Sequence, residues 1–250
     1  MMWRERGRIL VYPPTHPFML VGYLLIAVIL SIVVSIIPAS LSLAIDPGQG
    51  LLLGIIASLL ILLSPVLSLF NLVLKRIVTT STGEVVMGVE FRMVYGIPVP
   101  VPVVLVSRRV MTLCINLGGG VIPLTVSAIF LYALYTANSF QGVTPALYSV
   151  LTTSLVTYAF SRTIPGVGIV VPALIPPITS SLTVLALVGP GPLSGLAAYV
   201  GGSLGSLIGA DVLRLARDYR KINSPLVSIG GAGVFDGVFV SGILGLLLAL

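Results

Sequence analysis

The sequence predicts an all-α integral membrane protein with about seven transmembrane helices, from its composition and from the length of its apolar runs. Of 250 residues, 57% are hydrophobic and 8% are charged, and the mean hydropathy is +1.16. A soluble domain normally has about a quarter of its residues charged, so this chain has too little polar surface for water. Seven apolar runs approach or exceed the ~20 residues that cross a bilayer as a helix. They cover 18–37, 51–74, 110–137, 145–161, 167–188, 193–213 and 225–250.

The basic residues orient these runs, because Lys and Arg are retained on the cytoplasmic side of short loops. With seven spans and the N-terminus inside, all thirteen basic residues fall on the cytoplasmic side. The opposite loops, near 46–48, 138–141 and 189–192, contain none. This pattern predicts a multi-pass protein of the cell membrane with its C-terminus outside. The retention of basic residues on one side of the lipid bilayer also accounts for the net charge of +6. The bilayer is therefore the expected partner, and no nucleic-acid partner is needed to explain the charge.

One domain, 1–250, is expected, with a cytoplasmic β-type insertion at about 77–107. The run from Glu84 to Tyr95 is rich in β-branched and aromatic residues, which predicts a short strand or hairpin. The Pro98–Pro102 segment that follows favours an extended path. Such a strand either covers the bundle surface or offers an edge that adds a peptide strand.

Three of the later runs open with glycine-rich or proline-rich breaks, at 116–123, 165–177 and 229–236. Non-helical backbone at membrane depth survives only where protein or a water-filled cavity satisfies its polar groups. The three breaks therefore face a shared polar cavity or, alternatively, permit close packing of helices through small residues.

Two of the seven acidic residues, Asp211 and Asp236, lie inside the last two apolar runs. A carboxylate in hydrocarbon costs at least ~2.5 kcal/mol and is normally kept for function. Asp211 has ordinary alternatives, which are to reach the cytoplasmic interface or to pair with Arg214 or Arg217. No metal site or cofactor is expected, since the only histidine is His16 at the mouth of the first run.

If the two carboxylates meet, they cannot easily both ionise, and the pair shares one proton. One carboxylate then acts as a base toward water while the protonated partner polarises a carbonyl, which is aspartic protease chemistry.

The residues around Asp236 carry a family resemblance. The stretch Gly233-Val-Phe-Asp-Gly237, with Phe239, Ser241 and Gly245 after it, resembles the Gly-x-Gly-Asp region of presenilin and signal-peptide-peptidase intramembrane aspartyl proteases. Asp211 matches the partner aspartate on the preceding helix, and Pro172-Ala173-Leu174 resembles the Pro-Ala-Leu motif of that class.

Two positions and the order of the motifs depart from that pattern. Phe235 replaces the second glycine, Ala210 replaces the usual tyrosine, and Pro-Ala-Leu precedes the aspartates instead of following them. The glycine-rich run that ends Phe-Asp-Gly also resembles an uncharacterised family of prokaryotic multi-pass membrane proteins, a likeness that implies no activity.

The resemblance implies a site-forming core at 162–250 that hydrolyses a transmembrane peptide without metal or cofactor. In it Asp211 and Asp236 are catalytic. The implied substrate-binding residues are Pro172, Ala173, Leu174, Gly233, Phe235 and Gly237.

A secondary transporter is the alternative, because broken helices beside ionisable residues are also typical of proton- or cation-coupled carriers. The same two aspartates then bind a proton or cation. A chain this short would function as a homo-oligomer.

Overall fold

A computed structural model describes residues 9–11, 30, 35–43, 45–94, 97–164, 168–219, 222, 226–231 and 237–250. At 78–94, 97–110 and 139–140 it describes the backbone alone. Three of the residues predicted for the site, Gly233, Phe235 and Asp236, lie outside the described residues. Most of the predicted first span, 18–37, lies outside them as well.

Helices are interspersed with pairs of strands and single strands along the chain. The helices are α1 (35–43), α2 (Pro47–Leu67), α3 (Ile122–Phe160), α4 (Ile175–Val188), α5 (Pro192–Ser206), α6 (Leu215–Asp218) and α7 (Gly237–Ala249). The strands are β1 (Ile9–Val11), β2 (Phe70–Val94), β3 (Ile97–Asn116), β4 (Arg162–Ile164), β5 (Gly168–Val170) and β6 (Leu226–Ile229). Two π-helical segments, Leu117–Val121 and Leu207–Arg214, lead into α3 and continue α5.

The described residues contain four helices long and apolar enough to cross a membrane, which corrects the expected number of seven. They are Pro47–Leu67, Leu117–Asn138, Gln141–Phe160 and Pro192–Asp218. Helices α4 and α7 have only 14 and 13 residues, and helices of those lengths span about 21 and 20 Å against a hydrocarbon core of ~30 Å. The chain is an α-helical membrane protein in which β5 and β6 occupy the openings of the predicted fifth and seventh spans.

The long helix α3 folds back on itself and so provides two of the spans. A Cβ built on Gly142 would collide with the carbonyl of Leu134. In a straight helix, two residues eight positions apart are separated by ~12 Å, so the helix must reverse between them. The reversal lies at the predicted outer loop, near 138–141. We refer to Gln141–Phe160 as the second arm of α3.

Helix α5 lies at the centre of the bundle, where glycines allow close approach to the second arm of α3. A Cβ added at Gly201, Gly205 or Gly209 would collide with atoms of this arm. The glycines recur every four residues and therefore share one face of α5. The opposing row on the arm is Ser149, Thr153 and Thr157.

Two sheets complete the described structure. The larger has the order β1-β2-β3-β6, in which β2 and β3 are antiparallel and β3 and β6 are parallel. The smaller is the antiparallel pair of β4 and β5. The hairpin expected at 77–107 is therefore present but longer, since pairing begins at Asn71 and Asn116. Cys114, which the apolar run assigned to a span, lies buried in β3, where burial raises the pKa of its thiol.

We predict that Gly205→Val lowers the free energy of unfolding by about 1–3 kcal/mol, because the added side chain overpacks against Thr153. Thermal unfolding in detergent measures the change. The control is Gly48→Ala in α2, where an added Cβ meets only an ordinary contact with Asp46. Equal melting temperatures for the two variants would contradict the close packing of α5.

Candidate functional site

A cavity of about 220 Å³ lies where the second arm of α3, β5, α4, α7 and the π-helical end of α5 come together. Of the lining residues that the structure describes, Asp211 alone carries a charged side chain. The other lining residues are Thr157, Ile169, Val170, Val171, Pro172, Ala173, Pro176, Ser206, Ala210, Gly237, Val238 and Ser241. Among the described residues, the cavity therefore presents one carboxylate and several hydroxyls within apolar walls.

Asp211 lies in the π-helical segment Leu207–Arg214 and is partly buried. Its Oδ2 accepts a hydrogen bond of 2.6 Å from the backbone N–H of Gly230. Hydrogen bonds that an ionised carboxylate accepts from the backbone are among the stronger ones in proteins. The π-helical geometry is itself rare and is frequent at functional sites.

Gly230 reaches this position because it follows β6 directly and adopts a positive φ of 79°. A Cβ at this residue would collide with the backbone of Gly120. Glycine is therefore required by both conformation and space. The break at the start of the predicted seventh span thus contacts the break at the start of the third and donates to Asp211.

Strand β6, which Gly230 follows, is held by a buried polar cluster at the base of the hairpin. Asn116 Nδ2 donates to the carbonyl of Ser68 at 2.6 Å and to Asn71 Oδ1 at 3.1 Å. Ser228 in β6 donates to the same Asn71 oxygen at 2.6 Å. Because Asn71 and Asn116 are buried, these bonds form away from competing water and anchor β6 to β2 and β3.

The three sequence breaks have different roles. Gly118, Gly119 and Gly120 are buried, and a Cβ at Gly118 would collide with the carbonyl of Ser64 in α2. This first break serves close packing and does not line the cavity. Pro172 and Ala173 from the second break do line it.

The structure brings together some of the predicted site residues. Asp211, Pro172, Ala173 and Gly237 share the cavity. Leu174 does not line the cavity and is 61% exposed.

The basic residues near Asp211 bind other partners. Arg214 Nε lies 3.0 Å from Asp218 Oδ2, and Arg217 donates to the hydroxyl of Tyr158 at 2.7 Å. Asp218 also accepts a hydrogen bond from Thr163 at 3.0 Å. The expected alternative of an Asp211 ion pair with Arg214 or Arg217 is therefore absent from the ion pairs of the described residues.

The prediction from sequence missed most of the apolar lining residues and two buried hydroxyl residues of the cavity, Thr157 and Ser206. Both are buried, and their hydroxyl oxygens have no hydrogen-bond partner within the described part of the chain. A third hydroxyl residue, Ser241, donates to the carbonyl of Gly237 in its own helix. The four-residue spacing of Ser149, Thr153 and Thr157 was the available signal for this polar face.

We predict that Gly230→Ala lowers the free energy of unfolding by more than ~1–2 kcal/mol, which is the cost of a left-handed backbone conformation for a residue with a Cβ. The loss is larger because the new Cβ also collides with Gly120. The matched control is Gly189→Ala. Gly189 has a similar φ of 82° with nothing within 4 Å of an added Cβ. Unfolding midpoints in detergent compare the two variants, and equal losses would show that the contact with Gly120 is unimportant.

Comparison with known proteins identifies one family. A family model described as "Protein of unknown function (DUF1614)" matches residues 65–248, a stretch that includes the hairpin and every cavity residue. No curated protein matches the chain, and no solved structure does.

Proposed function

The chain belongs to the DUF1614 family, and we propose that it is an intramembrane aspartyl protease that cleaves a membrane-embedded peptide with Asp211 and Asp236. The observation that carries this proposal is the shared cavity of Asp211, Pro172-Ala173 and Gly237. Gly237 is the residue that follows Asp236 in the chain. The sequence resemblance assigns substrate binding or catalysis to these same positions.

The electrostatics of the cavity support a carboxylate kept for chemistry. No basic side chain lines the described cavity, and the nearby Arg214 is engaged by Asp218. A carboxylate without a counter-charge at membrane depth is destabilising and is retained where function needs it. The bond from Gly230 stabilises Asp211 without neutralising it.

In the proposed reaction one carboxylate removes a proton from water, and the water oxygen attacks the peptide carbonyl. The other carboxyl group, protonated, donates a hydrogen bond to that carbonyl oxygen, which becomes the hydroxyl of a tetrahedral intermediate. Collapse of the intermediate breaks the C–N bond, and the carboxyl group that holds the proton from water gives it to the amine. As the C=O bond forms again, the hydroxyl returns its proton to the other carboxylate, so the pair ends in its starting protonation state. The products are a carboxylic acid and an amine, and no cofactor is consumed.

Strand β5 offers a way to hold the substrate in an extended conformation. Ile169, Val170 and Val171 line the cavity directly before Pro172. Of the described strands, only β4 pairs with β5. A peptide unwound from a membrane helix can add to the remaining edge through main-chain hydrogen bonds, which places its backbone beside Asp211.

We further propose that the protein lies in the cell membrane with its sheets in the cytoplasm and its C-terminus outside. Lys75 lies in β2 and Arg162 lies in β4, and the retention of basic residues on the cytoplasmic side supports a cytoplasmic position for these strands. The apolar side chains on the outer face of α2 support contact with lipid, because Leu52, Leu59 and Val66 are more than half exposed.

We predict that Asp211→Asn and Asp236→Asn each reduce cleavage by about 10²–10⁴-fold, because an amide cannot exchange the proton. Transmembrane peptides reconstituted with the protein in proteoliposomes, followed by mass spectrometry of the products, measure this loss. The control is Asp46→Asn, which changes the carboxylate that caps α2 outside the cavity. A variant at Asp211 or Asp236 that retained full cleavage of a peptide processed by the parent would remove the protease assignment.

The second candidate function, a proton- or cation-coupled transporter, is favoured by the hydroxyls of Thr157 and Ser206. Neither has a hydrogen-bond partner among the described residues, and both line the cavity with Asp211. Hydroxyl and carboxylate oxygens together suit a small cation or a chain of water molecules.

If the protein is a transporter, Asp211→Asn abolishes proton or solute movement in sealed vesicles and Ser206→Ala reduces it about tenfold, a loss of one polar ligand. The control is Ser181→Ala, because this buried hydroxyl is satisfied within α4 by the carbonyl of Pro177 at 2.8 Å. Vesicles in which the parent moves neither protons nor solute would exclude this second function.

A further inference from the structure

Among the described strands, long stretches of the outer edges of the β2–β3 ribbon have no neighbour. Its two strands pair from Asn71 and Asn116 at the base to Val94 and Ile97 at the tip. Neighbouring strands reach only the base, where β1 pairs with 70–72 and β6 pairs with 112–115. Two-stranded ribbons are marginally stable by themselves, and unpaired edges are templates for a further strand.

The outer edge of β3 is closed near the tip by three prolines. Pro98, Pro100 and Pro102 alternate along the strand, so their nitrogens face the same edge. They are paired in register with Met93, Phe91 and Val89. Since a proline nitrogen cannot donate to a ladder, these positions lie where the nitrogen faces away from β2. A strand that added to this part of β3 would leave its own carbonyl groups without donors opposite the prolines.

Beyond its pairing with β1 at the base, the outer edge of β2 has no partner in the part of the chain that the structure describes. No proline occurs between Phe70 and Val94. In antiparallel pairing, residues opposite each other direct their backbone groups to the same side of the ladder, either both inward or both outward. The outward groups of β2 therefore belong to Val89, Phe91 and Met93, the partners of the prolines.

We propose that this edge of β2 pairs antiparallel with the same edge of a second copy of the chain, with Phe91 opposite Phe91 of the second copy. Charge selects this register. A two-fold axis at Phe91 places Glu90 opposite Arg92 twice, once on each side of the axis. An axis at Val89 places Glu90 opposite Gly88, and an axis at Met93 places Arg92 opposite Val94. Oppositely charged residues that face each other across strands are stabilising.

The resulting sheet has the order β3-β2-β2-β3, and both of its outer edges carry the three prolines. Further strand addition is blocked there, so assembly stops at a closed two-fold dimer. This inference rests on the ribbon alone and holds whether or not the cavity cleaves peptides.

The test is disulfide cross-linking in native membranes. Phe91→Cys is made with Cys114→Ala, since Cys114 is the only native cysteine. Hydrogen-bonded residues directly opposite have Cα atoms ~5.5 Å apart, within the range that a disulfide bridges. Mild oxidation is expected to give a covalent dimer. The control is Val101→Cys in β3, where three strand spacings separate the copies by ~14 Å, and no dimer is expected. Covalent dimers in equal yield from both variants, or no dimer from Phe91→Cys, would overturn the proposal.

A charge exchange tests the register without cysteine. Glu90→Arg and Arg92→Glu each place like charges opposite one another and are expected to weaken dimerisation about tenfold. The double variant exchanges both charges, restores opposite pairs and is expected to dimerise like the parent. Dimer populations are measured in lipid by single-molecule photobleaching of labelled protein. A double variant as weak as the single variants would reject the Phe91 register.

Discussion

The hydrogen bond from the backbone of Gly230 to the carboxylate of Asp211 joins the two parts of this protein. Asp211 belongs to the helical bundle through α5, and Gly230 belongs to the sheet through β6. Without this bond the π-helical segment and the end of β6 would have no polar contact at the cavity among the described residues. The bond forms only because Gly230 has a left-handed φ and packs against Gly120. The position of the carboxylate therefore depends on the packing of backbone against backbone, which tolerates no side chain.

The buried amides of Asn71 and Asn116 extend this dependence to the hairpin. A slip of one residue between two strands moves every side chain to the opposite face. Such a slip would separate Asn71 from Asn116 and also from Ser228 in β6. The polar cluster thereby specifies the register of three strands at once, and through β6 it specifies where Gly230 lies. Asn71 Nδ2 is buried without a partner among the described residues, but its Oδ1 accepts from both Asn116 and Ser228. Because unpaired buried polar groups are costly, a register that also left this oxygen unpaired would be less favourable, and the cluster favours the observed one.

Much of the fold class could be predicted from sequence, but the division between strand and helix could not. A continuous apolar run is compatible with a buried strand or a helix. The residues at 110–116 and 226–229 satisfy both patterns, and pairing between distant segments made them strands. The breaks were easier to locate, because glycine and proline have local conformational effects. Their partners were not, since the collision of Gly118 with Ser64 depends on the packing of α2.

The site was predictable only where a residue type is unusual for its surroundings. Asp211 was conspicuous because carboxylates are rare in apolar runs, whereas Thr157 and Ser206 resemble the many hydroxyl residues that bond to their own helix. The ion pairs illustrate the same limit. Arg214 is three residues from Asp211 and four from Asp218, and both spacings suit a helix. The segment Leu207–Arg214 is π-helical, while Leu215–Asp218 is α-helical, so the (i, i+4) pair with Asp218 forms. Asp211 consequently faces the cavity, where the N–H of Gly230 is its described hydrogen-bond donor. No residue pattern in the sequence predicts this local change from π-helix to α-helix.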